Sequence, residues 1–164
     1  IGYITSILYL LLQGVGDGSQ PLISQYYGKG DHRCVRATRK LAYLTAIVVT
    51  AICMAGVYLA RAKVGTLFGA SQEANAGVIQ YLPLFLATLL CLAFVRITTS
   101  YFYATEKNKL SYLLVYAEPV CTLLMLLILP PVLKLTGVWL AVPIAQVLTF
   151  VIAWVAKGRV DAKI

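Results

Sequence analysis

The chain has 164 residues, of which 60% are hydrophobic and only 12% charged, and a formal net charge of +8. That little polar surface cannot cover a water-soluble globule, so composition excludes an ordinary soluble domain and makes lipid the solvent. The basic excess does not indicate nucleic acid, because the charges sit in short gaps beside apolar runs, where they set topology and meet anionic headgroups.

A helix needs about 20 apolar residues to cross the roughly 30 Å hydrocarbon core. Five stretches meet that length, approximately residues 1–26, 41–60, 78–103, 110–133 and 137–156. Backbone amides in lipid must bond within their own segment, which predicts an all-α, polytopic transmembrane bundle of five spans. A β-barrel is disfavoured by runs such as Leu123 to Leu129, which do not alternate polar and apolar residues.

The first span opens at Ile1, without a methionine, a basic leader or a signal-peptide core. The chain is therefore expected to be part of a longer protein, with an N-terminal region missing. Within this span lies Gly14-Val15-Gly16-Asp17-Gly18-Ser19-Gln20-Pro21. Alternate glycines weaken a helix and Pro21 removes a donor, so Gly14, Gly16, Gly18, Gln20 and Pro21 form a candidate kink and gating element. The same glycines equally suit close helix packing. Other spans carry Pro83, Pro119, Pro130, Pro131 and Pro143.

A basic loop follows, with Lys29, Arg33, Arg36, Arg39 and Lys40. Lys107 and Lys109 follow the third span, and Lys157, Arg159 and Lys163 the fifth, making ten basic residues on one side against Arg61, Lys63 and Lys134 on the other. The positive-inside rule predicts a cytoplasmic location for the ten-charge side and for the C-terminus, in a multi-pass protein of the plasma membrane. The gap from Arg61 to Gly77 holds Leu67-Phe68-Gly69-Ala70, which reads as an interfacial or re-entrant turn.

Three ionisable residues lie inside spans: Asp17, Arg96 and Glu118. Each costs about 2.5–3.5 kcal/mol at mid-helix, so they are candidates for ion coupling or substrate charge. Asp17 precedes Gly28 by eleven residues, Arg96 precedes Lys107 by eleven and Glu118 follows it by eleven. At 1.5 Å per residue all three stand about 16 Å from the basic side, near the midplane. The third and fourth spans form a hairpin through Thr105-Glu106-Lys107-Asn108, which brings Arg96 level with Glu118. That pair is either an internal staple or part of a working cycle. Asp17 has no such neighbour.

Enzymatic chemistry is not expected. The sequence holds no nucleophile elbow, no triad and no phosphate loop. His32 is the lone histidine, and Cys34, Cys53, Cys91 and Cys121 form no ligand spacing, so neither a metal nor a cofactor is expected.

Three segments carry a family resemblance. The stretch Gly14 to Lys29, with Ser19-Gln20-Pro21 and Tyr27-Gly28-Lys29 before a basic loop, resembles the multidrug and toxic compound extrusion (MATE) transporters. Ser100-Tyr101-Phe102-Tyr103-Ala104-Thr105-Glu106-Lys107 resembles a turn between two later helices of that family, and Gly137-Val138-Trp139 with Pro143 resembles the opening of its last helix. The resemblance implies helices eight to twelve of a twelve-helix transporter built from two lobes. It further implies exchange of Na⁺ or H⁺ for an outgoing drug-like amphiphile, through a cleft whose other wall is the missing N-terminal lobe. A lipid-linked sugar flippase of the same superfamily and a non-transport membrane scaffold are the alternative readings.

Overall fold

Without water to satisfy backbone groups, an apolar chain must close its hydrogen bonds along each segment, and it does. A computed structural model describes residues 2–67 and 72–161, arranged as four helices: α1 (Gly2–Gly28), α2 (His32–Leu67), α3 (Gln72–Ala104) and α4 (Asn108–Asp161). No strand occurs among the described residues. Three of these helices are long and apolar enough to cross a membrane, in the stretches His32–Ala60, Ile79–Ala104 and Asn108–Asp161. The polar run from Gln13 to Gln20 dilutes the hydropathy of α1, whose 27 residues are otherwise long enough.

The 54 residues of α4 would span about 80 Å as one rod, far more than a bilayer needs. The helix is in fact folded back at Lys134, whose φ of 51° and ψ of −132° are non-helical. The contacts give the directions of its two arms. In the first, 108–133, Ser111 donates to the Thr99 carbonyl and Glu118 meets Arg96, so this arm runs antiparallel to α3. In the second, 135–161, Trp139 stacks on Tyr81 while Phe150 and Trp154 meet Phe94, so this arm runs parallel to α3. At the reversal Gly137 is pressed against the Leu129 carbonyl, with no room for a Cβ.

The helices extend beyond the apolar runs. The expected basic loop is mostly helix, because α2 starts at His32 and carries Arg33, Arg36, Arg39 and Lys40 in its first turns. Hydropathy finds the length that lipid selects, whereas helix ends are set by caps. Here Gly30, at φ 72°, ends the preceding helix by donating to Tyr27 O while Asp31 N reaches Tyr26 O. Asp31 Oδ1 then accepts from Cys34 N at 3.0 Å, capping α2. That backbone N–H holds the Asp31 carboxyl below its usual range. The α3–α4 turn repeats the device with Glu106 at φ 58° in the glycine position, Glu106 N bonding Tyr103 O and Lys107 N bonding Phe102 O. Of the expected interfacial turn, Leu67 ends α2 and the remainder lies outside the described residues.

α3 is the centre of the bundle. Its apolar window is 56% buried, against 17% for α2 and 28% for α4. Leu82, Leu86, Leu89, Leu92, Ala93 and Ile97 pack with Leu8 and Leu12 of α1 and Ala42 and Ala46 of α2. Nearer the basic end, Val95, Tyr101 and Phe102 pack with Ile23, Val35, Leu114, Ala153, Ala156 and Val160. Outward-facing Leu44, Ile52, Leu59, Leu123, Leu127 and Val132 are exposed, a surface suited to acyl chains and not to water.

Candidate functional site

Helical spacing alone places the polar residues of α1 on one stripe: Gln13, Asp17 and Gln20 recur at four- and three-residue steps. The matching stripe on α3 is Arg96, Thr99, Ser100 and Tyr103, and between the two lies a cleft of about 190 Å³ lined by these seven residues. Gly16 lets the stripes meet. A Cβ there would stand 2.7 Å from Ser100 Oγ and 3.7 Å from the Arg96 carbonyl. Gly14 and Gly18 face open space, so among the three glycines only Gly16 is a close-approach site.

α1 remains helical through this whole run, so it is not a broken helix. Pro21 acts more locally. The residue four positions earlier is Asp17, so the amide that would bond the Asp17 carbonyl is the one proline lacks. The Asp17 side chain is exposed and has no hydrogen bond or ion pair among the described residues. Gln20 lines the cleft beside it.

Arg96 and Glu118 form an ion pair, Nη2 to Oε2 at 2.5 Å, with side chains 17% and 22% exposed. The guanidinium also lies over the Tyr9 ring, 4.0 Å from Cζ to the centroid. Its Nε is buried and has no acceptor. Arg96 thus lines two openings: the cleft holding Asp17, and a groove of about 480 Å³ formed with Tyr9, Val115, Glu118, Pro119 and Thr122. The two acids expected from the sequence, Asp17 and Glu118, each border an opening that Arg96 also lines. Among the described residues no group of three His, Cys, Asp or Glu is placed to hold a metal ion.

A second charged cluster was not anticipated. Arg39, 8% exposed, donates from Nη1 and Nη2 to the two carboxylate oxygens of Asp161 at 2.7 and 3.4 Å, and lies over the Tyr101 ring at 4.5 Å. Lys157 Nζ is 3.6 Å from Asp161, and Lys107 Nζ 5.9 Å from the Tyr101 centroid. Burial holds the Lys107 ammonium below its ordinary pKa. These contacts tie the far end of α4 to α2 and α3. The available signal was scarcity: Asp161 is one of only six acidic residues, set among basic ones.

An all-helical bundle with three long apolar helices and an apolar outer surface is the architecture of a multi-pass membrane protein. The MatE family profile matches residues 2–128, and the chain belongs to the MATE family. Its fold is similar to that of a solved inward-facing multidrug resistance MATE family transporter of the MOP superfamily, with a TM-score of 0.79 at 16% identity. The likeness covers 89% of this chain and 34% of that one, so the chain spans about a third of the solved transporter's length. No curated protein matches the sequence significantly.

Proposed function

We propose that the chain forms most of the C-terminal lobe of a cation-coupled exporter, which exchanges Na⁺ or H⁺ for drug-like amphiphiles by alternating access. Five crossings would be made by α1, α2, α3 and the two arms of α4, with the basic end in the cytoplasm and an N-terminal lobe supplying the opposite wall. The observation that carries this reading is Asp17: a carboxylate near mid-helix, unpaired, facing an open cleft and backed by a carbonyl that Pro21 leaves without its helical donor. A buried or lipid-level carboxylate without a counter-ion is costly, so its partner must come from outside the chain, as a proton or a metal cation. Arg96 and Glu118, one cleft away, supply the second charge pair whose balance that cation would alter.

The test is efflux of a fluorescent organic cation such as ethidium from proteoliposomes containing the complete transporter, driven by an imposed Na⁺ or proton gradient. Asp17→Asn is expected to lower the driven rate at least about tenfold, the equivalent of 1.4 kcal/mol in coupling, while leaving protein yield unchanged. Wild-type efflux in that variant removes Asp17 from the cycle.

A further inference from the structure

Arg96 is the one side chain common to both openings, and its geometry suits it to two partners. The base of the residue is level with Asp17: the Arg96 carbonyl lies 3.7 Å from where a Cβ of Gly16 would stand. Helical side chains lean toward the N-terminus of their helix. Because Tyr9 contacts Arg96 while Gly16 contacts Ser100, α1 and α3 run parallel, and that lean carries the guanidinium back along α1, away from Asp17 and onto Tyr9 and Glu118. Turned sideways instead, the same side chain enters the cleft it already lines, where the Asp17 carboxylate has no partner. Its grip on the present position is incomplete, since Nε is buried without an acceptor. An arginine fork is satisfied by two or more acceptors, and here it has one carboxylate oxygen and a ring face.

We propose that Arg96 exchanges carboxylates, pairing with Glu118 in the arrangement described here and with Asp17 once Glu118 is neutralised by a proton or a metal cation. This rests on the transport reading above and adds how the two acids communicate. Neutralising Glu118 removes the attraction holding the guanidinium over Tyr9, and the Asp17 carboxylate of α1 is the remaining free anion facing it. The ionisable groups facing Arg96 are then Tyr9 and Asp17 from α1, Tyr103 from its own helix and Glu118 from α4. Movement to Asp17 fills the α1–α3 cleft and vacates the α1–α4 groove. A charge change on one side of α1 thereby becomes a change in what α1 is tied to. Gly16 is what keeps α1 near enough for both pairings.

The exchange has a consequence for folding that does not depend on transport. Each acid can substitute for the other as counter-ion, so removing either one alone leaves Arg96 paired. The variants Asp17→Asn, Glu118→Gln, the double variant, and a triple variant that adds Arg96→Met are made in the complete transporter. Folded yield is read as the monodisperse peak on size exclusion. The expected pattern is near wild-type yield for both singles, a several-fold loss for the double, and recovery in the triple, which removes the stranded cation. Loss in Glu118→Gln alone shows a fixed staple that Asp17 cannot replace and overturns the proposal. Loss in Asp17→Asn alone, normal yield in the double, or a triple that stays lost overturns it as well. The two readings fail separately. A wild-type protein that folds but moves no ethidium against either gradient defeats the transport function, whereas the yield pattern judges the exchange.

Discussion

An ionised or hydroxylated side chain in an apolar bundle survives only if its polar atoms are served locally, and most of those here are. The hydroxyls of Thr50, Thr98, Thr99, Thr122 and Thr149 each donate to the carbonyl four residues earlier, which hides a polar group against its own helix. Arg39 solves the same problem over a long range, through Asp161 and Tyr101. Asp161→Asn should therefore weaken the attachment of the α4 terminus. Arg39 is nearly buried but Asp161 is 36% exposed, so the expected cost is at most about 1.5–3 kcal/mol, the range for hydrogen bonds to charged groups, and less than for a fully buried pair. The check is the thermal midpoint of the purified protein, which should fall by several degrees; an unchanged midpoint would mean that Arg39 is held by Tyr101 alone. These two ion pairs also mark what could be read from sequence. Arg96 and Glu118 flank a four-residue turn symmetrically, so counting from Lys107 places them level. Arg39 and Asp161 are 122 positions apart, and nothing local relates two residues brought together only by the whole bundle.

At the scale of the helices, the reversals carry the strain. Lys134 adopts φ 51° and ψ −132°, a conformation natural to glycine and costly for a residue with a Cβ. Glu106, at φ 58°, occupies the position that Gly30 fills in the equivalent turn. Lys134→Gly and Glu106→Gly should each stabilise the fold by about 1 kcal/mol, offset in part by the greater freedom of glycine in the unfolded chain. Gly137→Ala should do the reverse and cost at least about 1–3 kcal/mol, since its Cβ would overlap the Leu129 carbonyl and backbone has nowhere to yield. Denaturation curves of the three variants in one detergent decide the matter, and stabilisation by the alanine would refute the tight reversal. The break at Lys134 lies between the apolar runs 110–133 and 137–156, where Lys134 and Gly137 interrupt an otherwise apolar sequence. Helix ends were less legible. The Gly30–Asp31 cap starts α2 nine residues before its apolar run begins, and hydropathy does not register hydrogen-bonded caps.

Over the whole molecule, charge is segregated by end. The α1–α2 turn, the α3–α4 turn and the end of α4 meet around Tyr101, as the contacts of Arg39, Asp161 and Lys107 require. Lys29, Arg33, Arg36, Arg39, Lys40, Lys107, Lys109, Lys157 and Arg159 therefore share one end of the bundle, while Lys134 marks the other. That asymmetry was legible as a tally of loops, and the fold supplies what a tally lacks, namely that these loops are neighbours in space. It predicts orientation. Translocating such an end costs most where the anionic cytoplasmic leaflet attracts it and the membrane potential opposes its export. Lys29→Cys and Lys134→Cys, each introduced with Cys34 changed to Ser, test this in intact cells with a membrane-impermeant maleimide, because both side chains are exposed. Lys134→Cys should label in intact cells, and Lys29→Cys only after permeabilisation. The opposite pattern would invert the protein. Labelling of both sites from outside would mean that one of the segments between them, α2, α3 or the first arm of α4, does not cross the membrane.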